Sequence, residues 1–149
     1  VFINMGCKFQ DQGGIFIGDG ALIGHNVVLA TLNHAMSPNH RGTMIPEPIH
    51  IGRNVWIGSN ATVLPGVTIG DDVIIGVNST VTHDIPAGMV AAGCPARVLC
   101  TTEAYLEKEC ARMAHAPCYG EEYTLRRDVS MEKREQMKSE LSGRIGYID

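Results

Sequence analysis

Residues Ile51–Thr82 read IGRNVWIGSNATVLPGVTIGDDVIIGVNSTVT, and their spacing decides the fold. An aliphatic residue returns every six positions, at Ile51, Ile57, Val63, Ile69, Ile75 and Val81, with Gly after four of those six. A helix would repeat at about 3.6 residues, and an amphipathic strand at about 2. A period of six held over five intervals is neither. It marks a solenoid of hexapeptide units, each a short strand plus a turn. Three units close one triangular coil, and coils stack at strand spacing, about 4.7–4.9 Å. The aliphatic residue points into the prism, and the Gly after it is expected at the bend, where a side chain is costly.

Counting outward, the hexad reappears at Ile3, Phe9, Ile17, Ile23 and Leu29. Phe9 to Ile17 is eight positions, so two residues are inserted, and Gly13-Gly14 is the expected bulge. Leu29 to Ile51 is 22, one hexad plus 16, so an excursion at about residues 31–50 leaves the prism. It carries three of the six histidines, and loops of that length in compact domains are usually functional or disordered. The prism therefore has about four coils. Pro86 and Pro95 cannot donate to a ladder and mark strand ends.

Charge divides the chain near Cys100. Residues 1–100 hold six acids and four Lys/Arg, while 101–149 hold ten and eight. The reading is an all-β solenoid over 1–100 and a charged helical tail over 101–149. One helix is expected from Thr101 or Thr102 to about Ala114, broken by Pro117 and Gly120. A second is expected from Asp128 or Ser130 to Gly143, with a thin apolar set of Met131, Met137 and Leu141.

A net charge of −4 argues against a nucleic-acid surface. No apolar run reaches membrane-spanning length and no secretory leader is read, while Val1 already lies within a β pattern. Five cysteines without C-x-x-C suit reduced thiols, so the expected location is cytoplasmic, with no membrane partner. Flat solenoid sides close into rings by cyclic symmetry, and a homotrimer is expected.

Several motifs then converge. Asn4, Thr31-Leu-Asn-His34-Ala-Met-Ser-Pro38, Asn54-Val-Trp-Ile-Gly-Ser59, Leu64-Pro-Gly-Val-Thr-Ile-Gly70, Asp84-Ile-Pro-Ala-Gly88 and Gly93-Cys-Pro-Ala-Arg97 follow in order. Over about residues 1–100 the chain resembles the maltose/galactoside O-acetyltransferases, hexapeptide-repeat acyltransferases with a left-handed parallel β-helix. The hand comes from the resemblance alone, because the general rule for parallel crossovers favours the opposite one.

The resemblance implies transfer of an acetyl group from acetyl-CoA to a hydroxyl of a sugar or similar small acceptor, with no metal. It makes His34 the general base; on residue type alone His34 would be one loop histidine of three. Asn4 matches an acceptor contact, or caps a coil corner. Gln12 falls where the galactoside enzymes have an acidic acceptor contact. The backbone N–H of Ser59 matches the oxyanion donor, and Trp56 the thiol end of the cofactor tunnel, or simple packing between subunits. Val77, Thr82 and His83 match contacts to the cofactor, and Arg97 a phosphate contact. Two positions depart from the family: His83 stands where Lys is common, and Cys100 where a second Arg is. Both should weaken the grip on coenzyme A.

Two other readings are weighed. One is a non-catalytic solenoid acting as an assembly or regulatory subunit. The other is the zinc carbonic anhydrase sharing this solenoid, whose histidine spacing His34, His40 and His50 do not reproduce. Enzymes acetylating a xenobiotic or an amino-acid hydroxyl share the hexads too. In the tail, the stretch from Val129 to Leu141 resembles the last helix of the segment that precedes the family's first coils. It is therefore expected either to cap the first coil or to extend from the last.

Overall fold

The computed structural model describes residues 1–124 and 129–148. The first coil contributes β1 (Phe2–Ile3), β2 (Lys8–Gln10) and β3 (Ile15–Ile17). The second contributes β4 (Leu22–Ile23) and β5 (Val28–Ala30), then an excursion carrying β6 (Leu32–His34) and β7 (Met44–Pro46), then β8 (Ile49–Ile51). The third holds β9 (Trp56–Ile57), β10 (Thr62–Val63) and β11 (Thr68–Ile69). The fourth holds β12 (Ile74–Ile75) and β13 (Thr80–Val81), with Ile85 bridging to Ile69. A hairpin of β14 (Met89–Gly93) and β15 (Ala96–Thr101) closes the stack.

Three parallel sheets form the sides. The first face runs β1-β4-β9-β12-β14, the second β2-β5-β10-β13, the third β3-β8-β11. The register is that of stacked coils: Trp56 lies beside Leu22 and Ile74, and Thr62 beside Val28 and Thr80. Phe2 pairs with Leu22, two residues beyond a coil of 18, as an insertion at Gly13-Gly14 requires.

The six aliphatic positions of the diagnostic stretch are all at most 4 % exposed. Each hexad also buries the residue two positions earlier, namely Ile49, Val55, Ala61, Val67, Val73 and Ser79. Two inward side chains per strand is the expected alternation of a β-strand, so the core holds twice the residues the six-fold count reveals.

The bend is made differently from the sequence expectation. The corner residues with left-handed backbone, three positions before the aliphatic, are Asn26, Asn54, Asn60, Asp72 and Asn78, with φ of 54–60°, and Gly6, Gly20 and Gly66, with φ of 73–80°. Asn and Asp tolerate this conformation because their short polar side chains bond locally. The glycines after the aliphatic serve another purpose. A Cβ on Gly58 would lie 2.7 Å from the Val77 nitrogen, and one on Gly52 2.6 Å from the Asp71 nitrogen, both in the next coil. They are glycines because stacked coils touch there.

The excursion is narrower than residues 31–50. Thr31 is fully buried and Ile49 already pairs with Ile15. The Thr31 hydroxyl donates to the Gln10 carbonyl at 2.5 Å and accepts from the Gly13 N–H at 2.9 Å, pinning the exit. Beyond it, β6 and β7 pair antiparallel around a turn of 3₁₀ helix at Pro38–His40. The strands end before Pro95 as expected, but the chain then reverses, and β15 pairs antiparallel with β14.

The chain divides into a unit of residues Val1–Ala104 and one of Tyr105–Asp149, four residues beyond the boundary read at Cys100. Helix α1 (Thr102–Met113) starts within the first, where the Thr101 hydroxyl accepts from the Ala104 N–H and Thr102 Oγ1 donates to the Asp72 carbonyl. The second unit is not purely helical. It contains β16 (Cys118–Tyr119), α2 (Met131–Glu140) and β17 (Tyr147–Ile148), with the two strands paired in parallel. Ser130 caps α2, accepting from the Lys133 N–H, while Asp128, the other candidate start, lies outside the described residues. Met137 and Leu141 are half-buried and Met131 is exposed, so the thin apolar set is thinner still.

Candidate active site

Two prism corners carry the candidate residues. At the corner after the first face, backbone bonds stack Asn4 on Gly24, Gly24 on Gly58, and Gly58 on Gly76. Asn4 N–H donates to Ile23, Gly24 N–H to Ile57 and Gly58 N–H to Ile75, at 2.8–2.9 Å. Met5, His25, Ser59 and Val77 follow one position on, joined by bonds from Asn26 to Met5, Asn60 to His25 and Asn78 to Ser59. Asn4, Ser59 and Val77 thus share one edge, and Trp56 stands 47 % exposed on the face leading to it. The Asn4 side-chain oxygen accepts from the Met5 N–H at 2.9 Å, the local turn-capping use, and its amide nitrogen donates to nothing among the described residues. The Ser59 N–H donates to nothing among the described residues.

His25 was not singled out by the sequence, yet it lies between Met5 and Ser59 on this edge. The signal was available, since His25 follows Ile23 at the offset by which Ser59 follows Ile57.

The corner after the second face carries the other group. Gln12 is exposed in the turn beside the Thr31 anchor, the excursion leaves here with His34, and Thr82 and His83 follow β13. His34 is exposed on β6, and its Nδ1 lies 2.9 Å from the Arg41 carbonyl oxygen. A carbonyl can only accept, so Nδ1 carries the hydrogen, and in the neutral ring the lone pair is on Nε2. Asn33 Oδ1 accepts from the His34 N–H at 2.9 Å, and Ala35 N–H from across the hairpin donates to Thr43. The ring is held by a closed loop rather than by a neighbouring carboxylate.

His83 and Arg97 come together. They line one cleft of about 320 Å³ with Asp84, Ile85, Ala96 and Val98. His83 Nδ1 is 2.8 Å from the Thr82 hydroxyl. Arg97 donates to the Ala96 carbonyl and makes no ion pair among the described residues. A larger trough of about 650 Å³ crosses the third face and holds none of the expected residues. There Phe16 and His50 stack at 4.8 Å with planes 7° apart, which sets His50 apart from His34.

Comparison with known proteins agrees with the coil geometry. Residues 48–83 match the family model described as bacterial transferase hexapeptide (six repeats). The galactoside O-acetyltransferase of Escherichia coli K12 is 46 % identical over 100 residues, 66 % of this chain and 49 % of that protein. The maltose O-acetyltransferase structure from Clostridium difficile 630 superposes with a TM-score of 0.65 at 42 % identity, covering 67 % of this chain and 55 % of that one. Over about two thirds of its length the chain is similar to the maltose/galactoside O-acetyltransferases, and residues 48–83 carry the transferase hexapeptide repeat.

Within that family the solenoid is a left-handed parallel β-helix. A galactoside acetyltransferase solved in complex with coenzyme A matches at 45 % identity and a TM-score of 0.62, covering 64 % of this chain and 48 % of its own. The chain spans about half the length of the curated relatives it matches. The matched length of about 100 residues equals that of the solenoid, since β1 to β15 end at Thr101.

Proposed function

We propose that this protein is an O-acetyltransferase that moves an acetyl group from acetyl-CoA to a hydroxyl of a sugar or similar small acceptor. The observation carrying the reading is the His34–Arg41 hydrogen bond, which presents Nε2 as a base on a rigid hairpin. His34 Nε2 takes the proton of the acceptor hydroxyl as that oxygen bonds to the thioester carbonyl carbon. The carbonyl electrons move onto oxygen, and the unpaired N–H of Ser59 donates to that oxyanion. Collapse breaks the carbon–sulfur bond, and the departing thiolate takes the proton back from the imidazolium. Asn4 and Gln12 are the acceptor-side groups, and Trp56, Val77, Thr82, His83 and Arg97 line the path of coenzyme A.

In one protomer, Asn4, Trp56, Ser59 and Val77 belong to one corner, while Gln12, His34, Thr82 and His83 belong to the next. The complete site is therefore built where the first corner of one copy meets the second corner of another, in a cyclic trimer. The test is a thiol-release assay with acetyl-CoA and a panel of sugars, on the wild type and His34→Gln. Transfer should fall by about 10²- to 10⁴-fold in the variant, with melting temperature unchanged. A wild type that releases no thiol with any acceptor would favour the non-catalytic role. A variant with normal turnover would remove His34 from the chemistry.

A further inference from the structure

We infer that the grip on the phosphate monoester of coenzyme A is proton-gated in this chain, with His83 as the gate. The inference rests on the acetyl-transfer reading and specifies how its donor is held. His83, Asp84 and Arg97 line one cleft, and Arg97 makes no ion pair with a carboxylate among the described residues, so the cleft holds one permanent cation, one conditional one and the Asp84 carboxylate, whose Oδ1 is engaged by the Thr68 N–H. A phosphate suits such a pair, because guanidinium and imidazolium N–H groups both make charge-assisted bonds to its oxygens. His83 is already oriented, with Nδ1 held by the Thr82 hydroxyl at 2.8 Å, so Nε2 is the nitrogen left to the ligand.

A lysine here would be charged at every working pH. Histidine is the side chain whose charge changes in the physiological range. Charged groups of both signs line its clefts. Arg97 opposes a second positive charge. Asp84, next in the chain, accepts from the Thr68 N–H at 2.7 Å, and Glu47 lines a second cleft that His83 also borders. A phosphate arriving in the first cleft adds negative charge beside the ring and favours its protonated form. Binding is then linked to uptake of a proton, and the linkage is reciprocal: acidification tightens binding.

The experiment is calorimetric titration of the intact protein with coenzyme A and with dephospho-coenzyme A, in buffers of differing ionisation enthalpy. Wild type, His83→Lys and His83→Gln are compared at about pH 6 and about pH 8. The phosphate's own second ionisation, near pH 6, is common to all three proteins, so the difference between wild type and His83→Lys isolates the imidazole. The wild type should gain roughly tenfold in affinity for coenzyme A on acidification relative to His83→Lys. It should also take up a proton on binding at about pH 8, and both effects should vanish with dephospho-coenzyme A. His83→Gln should match the wild type's affinity at about pH 8 and follow the same pH dependence as His83→Lys. Parallel pH profiles in wild type and His83→Lys, or a gate that persists with dephospho-coenzyme A, overturn the inference and leave the acetyl-transfer reading standing. No coenzyme A binding by any of the three proteins overturns both.

Discussion

At Gly58 a single hydrogen decides whether two coils can stack. A Cβ there would sit 2.7 Å from the Val77 nitrogen and 2.9 Å from the Ile75 oxygen, where the Gly58 N–H already donates to Ile75 at 2.8 Å. Neither neighbour is a flexible side chain that could swing aside, so Gly58→Ala must part the third and fourth coils. The expected cost is about 1–3 kcal/mol in urea unfolding. Gly42→Ala is the control: nothing lies within 4 Å of its Cβ, and stability should hold or rise slightly. Equal effects at the two positions would refute the close-approach account. The six-residue aliphatic beat was legible because each of those side chains faces a closed interior. The role of its glycines was not, since φ and the distance to the next coil are invisible in one chain read linearly. The Asn/Asp beat three positions earlier was present in the sequence, and it is the residue type that tolerates left-handed backbone.

Corners and excursions are held by polar contacts that hexad counting passes over. Thr31 is fully buried with both its hydroxyl bonds made to backbone, so Thr31→Val leaves the Gln10 carbonyl and the Gly13 N–H without that partner. A loss of about 1–3 kcal/mol is expected by urea unfolding. Because β6 starts at the next residue, His34-dependent turnover should fall further than stability alone explains. At the corner after the third face, Arg53 ties one coil to the next. Its N–H donates to Asp71 Oδ1 at 2.8 Å and its guanidinium to Oδ2 at 2.7 and 3.0 Å. These bonds hold the Asp71 carboxyl below its ordinary range, the guanidinium bond first and the backbone bond second. A depressed folded value means the contribution is present above the ordinary carboxylate range and lost as pH falls through the folded value. The melting temperature of the wild type should therefore decline more steeply below about pH 4 than that of Asp71→Asn. Superimposable acid profiles would show the contact to be thermodynamically silent, as exposed pairs often are. Antiparallel pairing of β14 with β15 escaped the sequence because Pro86 and Pro95 signal only where strands stop. What the chain does after stopping depends on the open edge of the last coil.

Across the whole molecule, the proposed chemistry depends on a division that no motif discloses. The motifs holding His34 and Asn4 are plain in the sequence, but the corner each residue occupies depends on accumulated coil lengths, including the two-residue insertion at Gly13-Gly14 and the excursion. Once counted, they place His34 after the second face and Asn4 after the first, with a whole sheet of the prism between them. If a site joins His34 of one copy to Asn4 of the next, two inactive proteins can repair each other. His34→Ala supplies an intact first corner, and Asn4→Ala an intact second. Unfolding and refolding them together in equal amounts should form hybrid trimers in which about a quarter of the seams pair two unmutated corners, the fraction given by random cyclic assembly. Thiol release should return to about a quarter of the wild-type rate, while either variant refolded alone stays inactive. If both residues served a site within one copy, every chain in the mixture would carry one lesion and no recovery could occur. The rate of the refolded mixture thus separates a shared seam from a self-contained cleft without any need to know the acceptor's identity beyond one that supports turnover.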